Sequence, residues 1–200
     1  MPRIRIIFEK IGWVTFLNHQ DLPVLFSRAA RRAGLSQEFT EGFSPHPRIS
    51  LGPALAAGVE GLCEPADFWF NEWDDTSMNR WNEKLPDGIK ILRSAETDGM
   101  SLSKLAEAAR YRIRGAGFGL GTDALDILKE EAEKAAVLYS AYIEGGAAVI
   151  SVGDLEHCGA GSLVRRLKEE GICGGWKDLY LVRESVGTWN AESGMIVPLI

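Results

Sequence analysis

His19 and His46 are the side chains of this sequence best placed to move a proton or hold a metal, because each sits at the end of an expected element rather than inside an apolar run. With a carboxylate such as Asp21 or Glu64 they would form a metal site or an acid–base pair acting on a phosphorylated substrate, provided the fold brings them together. The plain alternative is a pair of hydrogen-bonded structural histidines, and no metal or cofactor is assigned. His157 stands beside Cys158 with no further ligand at metal spacing and reads as structural or exposed. Four arginines offer a second chemistry. Arg28, Arg31 and Arg32 recur at helical spacing and share a face, Arg48 follows a proline-rich loop, and guanidinium forks match phosphate oxygens. Phe43, on the same loop, suits stacking on a base. A solvated helix face beside a core aromatic is the alternative here. His19, Asp21, Arg28, Arg31, Arg32, Phe43, His46 and Arg48 are therefore the candidate substrate-binding residues.

Gly115, Gly117, Gly119 and Gly121 lie between an expected strand and helix, but neither phosphate-loop spacing is met: no third glycine or alanine follows at the right distance, and no Gly-Lys-Ser/Thr is present. They read as a flexible connection.

The elements that must position these residues follow a repeated order. Arg3 to Phe8 is β-rich, and Trp13 to Phe16 resumes β-type residues after Gly12. Asn18 predicts a helix N-cap with Asp21 in the first turn, Leu22, Leu25, Phe26, Ala29 and Ala33 predict its buried stripe, and Gly34 its end. The segment 40–48 is a stiff loop, since Pro45 and Pro47 push the residues before them into extended geometry. Ile49–Leu51 and Ala66–Phe70 follow as strands, Thr76–Leu85 as a helix and Ile89–Leu92 as a strand. After a polar connector the order returns: strand 111–114, helix 123–136, strands 137–143 and 147–152 across Gly145-Gly146, helix 162–170, strand 179–186. The expected class is α+β, with two tandem ferredoxin-like β-α-β-β-α-β units and antiparallel sheets, residues 1–96 and 110–200, joined by a connector over 97–109.

Two hundred residues with 46% hydrophobic and 25% charged content exclude a disordered or fibrous chain. No run approaches the roughly 18 apolar residues of a membrane helix, and the first residues lack a secretory apolar stretch. The expectation is a cytoplasmic protein without a membrane partner. Cys63, Cys158 and Cys173, an odd number widely spaced, suit reduced thiols. The net charge of −6 argues against nonspecific coating of nucleic acid. Yet residues 1–52 carry seven Lys/Arg against four acids, so the acidic excess lies wholly beyond them.

Three motifs carry a family resemblance: Phe16-Leu17-Asn18-His19-Gln20-Asp21, Arg28-Ala29-Ala30-Arg31-Arg32-Ala33-Gly34 and Gly42-Phe43-Ser44-Pro45-His46-Pro47-Arg48. In order and spacing they resemble the uncharacterised radical SAM-linked protein family over about the first seventy residues, with departures at Asn18, Gln20 and Ser44. The resemblance implies an accessory role beside a radical SAM protein. The chain lacks the three-cysteine cluster motif that such an enzyme needs, so any radical chemistry would be the partner's. Three functions follow as expectations: a binding module recognising an RNA or other phosphate-bearing substrate, a histidine- or metal-based enzyme on a phosphorylated substrate, or an interaction scaffold for the radical SAM partner.

Overall fold

Strand β1 (Arg3–Lys10) is buried on both faces for most of its length, as an interior strand must be. Ile4, Ile6 and Phe8 point to one core, shared with helix α1 (Leu22–Arg32). A computed structural model describes residues 1–135 and 138–200, and places after these elements β2 (Ile49–Leu51), β3 (Glu60–Trp69), α2 (Ser77–Asn82), β4 (Ile89–Glu96) and the short α3 (Leu102–Leu105). Then come β5 (Ala108–Gly115), α4 (Thr122–Ala135), β6 (Leu138–Glu144), β7 (Ala147–Gly153), α5 (Ala160–Glu169), β8 (Leu179–Asn190) and β9 (Met195–Pro198). The expected junction of helix and strand at Ala136–Val137 lies outside the described residues. No described helix is long and apolar enough to cross a membrane.

The fold is mixed α+β, with one mostly antiparallel sheet in the order β4-β1-β3-β8-β5-β7-β6; β2 pairs with β3, and β9 with β8. The repeated order predicts separate sheets, one per repeat. They are joined instead, because β2 covers only the Ala66–Phe68 end of β3 and leaves Glu60 and Gly61 free to pair with Val182 and Arg183 in parallel. Ala108 and Ala109 pair with Gly153 and Val152, so β5 begins at the end of the expected connector.

Two apolar clusters lie on the sheet. One is aromatic: Phe26 of α1 meets Phe8, Phe68 and Trp81 edge-on at 5.0, 5.4 and 5.7 Å, and Trp81 Nε1 donates to the Phe26 carbonyl. This fixes α1 and hence its outer arginines. The other cluster packs α4 and α5 on β5, β6, β7 and β8.

At the joint, Arg183 and Glu64, 1% and 4% exposed, form a bidentate pair: Nε to Oε1 at 2.9 Å and a terminal nitrogen to Oε2 at 2.5 Å. The remaining guanidinium donors reach the carbonyls of Pro53 and Ala54. Burial opposes the charge on Arg183, but Glu64 and the neighbouring Tyr111 more than offset it and raise its pKa. Gly61 is required here, since a Cβ would sit 2.6 Å from Glu64 Cγ.

Removing one charge strands the other in the interior, so Glu64→Gln should lower the unfolding free energy by about 3–5 kcal/mol, while Glu64→Leu with Arg183→Met should retain most of the stability. Urea denaturation at pH 7 reads both; a decrease below about 1 kcal/mol in the single variant would mean that the pair does not hold the joint.

Candidate functional site

The segment before α1 departs from its sequence reading. Gly12–Phe16 is a 3-10 turn rather than strand, because Gly12 takes a φ of +66° and Lys10, buried completely, donates from Nζ to the Thr15 and Leu17 carbonyls at 3.1 and 2.7 Å. An ammonium inside the protein needs such partners, and the chain bends to supply them. His19–Asp21 is a second 3-10 turn, α1 begins at Leu22 with Pro23 in its first turn, and the Asn18 side chain makes no capping bond. Gly34, at a φ of +71°, ends the helix as expected.

This bend carries His19 inward. The imidazole lines a space of about 10 Å³, the size of one water molecule, together with Lys10, Glu64, Gly52 and Leu22. Its Nδ1 is buried without a hydrogen-bond partner among the described residues. Burial lowers its pKa, and the nearby Arg183 lowers it further against the opposing pull of Glu64. The His19–Glu64 proximity considered from sequence is thus present, as part of an interior charge cluster.

His46 has other surroundings. It is exposed, its Nδ1 lies 3.1 Å from Thr40 Oγ1 and 3.3 Å from the Ser44 carbonyl oxygen, and its own carbonyl accepts from Thr40 N–H. Among the described residues no three His, Cys, Asp or Glu side chains group as a metal site. His19 and His46 thus have different surroundings, the first beside Lys10 and Glu64 and the second within its own loop.

Residues 38–48 form a small hairpin, with Phe39 bridged to Pro47 and Arg48 N–H donating to the Glu38 carbonyl. Phe43 is fully exposed near its tip. Arg48 pairs with Glu38 at 3.1 Å and lies 4.4 Å over the Trp69 ring, which ties it to the hairpin base.

The hairpin and the outer face of α1 enclose a cleft of about 250 Å³ lined by Ser27, Arg28, Arg31, Leu35, Ser36, Gln37, Phe39 and Pro47. Arg28 and Arg31 are exposed, and their guanidinium groups have no ion-pair or hydrogen-bond partner among the described residues. Arg32 differs: it donates to the Lys84 carbonyl at 2.7 Å and faces a second cleft with Asp21, Arg28, Leu17, Val24, Leu25 and Pro86. The structure thus divides the predicted residues. Arg28 and Arg31 share a cleft with the hairpin, Asp21 and Arg32 lie round the helix with Arg28 between the two clefts, and His19 is half-buried beside Lys10 and Glu64. Sequence reasoning missed Ser27, Gln37 and Phe39; the one signal was Gln37, a polar residue between Leu35 and Phe39.

The three cysteines are free thiols: Cys158 is buried and pushed up to about 11 by that burial, and Cys63 and Cys173 are half-buried. His157 is exposed and bonds Asp154 at 2.8 Å.

The chain belongs to the family described as "Uncharacterized protein conserved in bacteria (DUF2344)", whose model matches residues 3–144. No curated protein matches it. Among solved structures it is similar to a microcompartments protein from Desulfitobacterium hafniense DCB, at 12% identity, covering 92% of this chain and 95% of that one with a TM-score of 0.26. It is also similar to a structure described as "putative glycine cleavage system transcriptional repressor", at 12% identity, 92% and 98% coverage and a TM-score of 0.26.

Because the His19 pKa is lowered in the folded protein, the unfolded chain binds more protons once the pH falls below about 6.5, so this contribution to stability is present above that pH and lost as the pH falls toward the folded value. His157, whose pKa Asp154 raises, works in the opposite direction. In a His157→Gln background, stability should decline between about pH 7 and 5, and adding His19→Gln should flatten that decline. Urea midpoints across this range would show it; an unaltered slope would remove His19 as the cause.

Proposed function

We propose that this protein is an accessory binding module of a radical SAM system that recognises RNA, or another phosphate-bearing substrate, through the cleft between α1 and the 38–48 hairpin. The observation that carries the reading is the pair Arg28 and Arg31: two guanidinium groups with no anionic partner among the described residues, side by side on a cleft walled by Phe39. Unpaired guanidinium forks beside an aromatic wall match the phosphate and base of a nucleotide. Phe43 on the hairpin tip adds a second stacking surface, exposed where a single strand would pass.

The strand orders support a tandem ferredoxin-like architecture for this module. Residues 3–96 run β-α-β-β-α-β with the sheet order β4-β1-β3-β2, and residues 108–190 repeat this as β8-β5-β7-β6. We take residues 1–96 as the recognition unit, 97–109 as the connector and 110–200 as the second unit.

A radical SAM partner is assigned from the family resemblance, and one surface suits it. Val24 and the neighbouring Leu17, Leu25 and Pro86 form an apolar cleft of about 390 Å³ edged by Asp21, Arg28 and Arg32, with Trp13 and Phe16 highly exposed on the preceding turn. Docking there would leave Arg31, Phe39 and the hairpin open to substrate, with Arg28 on the ridge between the two clefts. The protein itself acts in the cytoplasm in this reading.

Binding of a labelled single-stranded RNA, followed by fluorescence anisotropy over a range of salt, tests the proposal. Arg28→Ala with Arg31→Ala should weaken binding at least tenfold and flatten the dependence of log K on log salt by about 0.7 for each phosphate that is no longer neutralised. Phe43→Ala should weaken binding without changing that slope. Equal binding by the wild type and the double-arginine variant would sink the reading.

A further inference from the structure

The hairpin cleft contains an anomaly that phosphate binding by its rim does not explain. Gln37 is only 9% exposed, and its Nε2 is buried without a hydrogen-bond partner among the described residues. Ser27 Oγ, in the same cleft, is in the same condition. Buried polar groups are almost always paired, and each orphan costs the folded protein its lost hydration. Two residues that line one cleft each carry such an orphan just beneath its surface, which points to a ligand that completes them when the side chains turn outward.

The chemistry of that ligand follows from the lining. The Gln37 amide offers donors, and the Ser27 hydroxyl gives or accepts one bond, so the occupant has a planar polar edge bearing an acceptor. Leu35, Phe39 and Pro47 supply apolar walls, one of them an aromatic ring suited to stacking. Arg28 and Arg31 stand free at the same cleft. About 250 Å³ is below the usual size of a drug-like site and admits one ring system. We propose that this cleft receives one unstacked nucleobase, its polar edge held by Gln37 and Ser27, its face against Phe39, and its phosphate held by Arg28 and Arg31.

The support is rigid, as base readout requires. Gln37 bridges to Phe70, Glu38 N–H donates to the Trp69 carbonyl, and Asn71 bonds both the Ser36 carbonyl and its hydroxyl. Ser27 rides on α1, which Phe26 locks into the aromatic core. The backbone that carries Gln37 is thus held in place before any ligand arrives, so binding orders little beyond the side chain itself. An RNA base would enter by flipping out of a single strand or loop, where unstacking costs least.

This inference rests on the phosphate-binding reading of the same cleft, and the test separates them. The full-length protein is titrated by NMR with the four nucleoside 5′-monophosphates and with ribose 5-phosphate, which has the phosphate but no base. We expect at least one nucleotide to bind about tenfold more tightly than ribose 5-phosphate. Gln37→Leu should abolish that difference while leaving ribose 5-phosphate affinity unchanged, and Ser27→Ala should reduce it. Without ligand, Gln37→Leu should also melt about 2–4 °C higher, because the orphan amide is gone. Nucleotides and ribose 5-phosphate binding equally would overturn the base pocket and leave the phosphate reading standing; no binding of either by the wild type would overturn both. A Gln37→Leu protein that melts lower and keeps base-dependent binding would make the amide structural and the proposal wrong. Binding of a phenylalanyl-aspartate dipeptide in place of every nucleotide would make the cleft a peptide site and overturn it equally.

Discussion

The buried pair between Arg183 and Glu64 sets the arrangement of this protein. It lies where β3 and β8 run parallel for only two residues on each strand, so the joint has little backbone pairing of its own. A bidentate ion pair supplies direction there, because guanidinium and carboxylate planes must align. It also leaves a constraint, since a buried positive charge tolerates few positive neighbours. Lys10 is one such neighbour, lowered in pKa by burial with Arg183 contributing, and it is kept in place by two carbonyls from the turn that follows it. The turn brings the chain back over the cluster, places His19 at its edge, and starts α1 at Leu22. The position of the outer arginines is thereby coupled to an ion pair in the interior.

Helix α1 divides its residues between these two tasks. Leu22, Phe26, Ala29 and Ala30 are buried in the aromatic core, whereas Arg28, Arg31 and Arg32 point out. Small residues at 29, 30 and 33 let the helix lie close to the sheet, and Phe26 fills the space between Phe8, Phe68 and Trp81. Burying a Phe contributes about 1.5–3 kcal/mol, more than an exposed arginine contributes through ion pairing. The core therefore decides where the helix sits, and the arginines on its outer face are free to be chosen for a ligand. The hairpin completes the cleft because Arg48, stacked on Trp69 and paired with Glu38, closes its base.

What the sequence disclosed and what it withheld follow the range of the interactions concerned. The order of strands and helices was legible because periodicity, Gly34, the 145–146 glycines and the prolines are local signals. Trp13–Phe16 misled because its residue types favour strand, while the cause of its bend is a lysine whose burial depends on the whole fold. The Glu64–Arg183 joint was hidden, since the two residues are 119 positions apart and neither has a local pattern that marks it as buried. Strand β9 escaped notice because Met195–Pro198 is short and ends in proline. The arginine face was visible as a spacing, but its division between two clefts depends on the return of the chain through residues 35–48. Ser27 and Gln37 are ordinary polar residues until the fold buries them together.

The charge of the protein constrains how such a cleft can work. A chain with a net charge of −6 repels a polyanion at long range, and two free arginines do not reverse that field. At physiological ionic strength the Debye length is about 8 Å, so the acidic remainder is largely screened from a ligand already seated, while contacts within the cleft keep their strength. A module built this way gains little from nonspecific electrostatics and depends on short-range recognition of one or a few units. Its affinity for an extended RNA would then be low in isolation and would rise when a partner bound the same molecule and raised its effective concentration at the cleft. The acidic composition, which at first sight argues against nucleic acid, is thus compatible with the proposed accessory role, in which a partner would supply the long-range attraction.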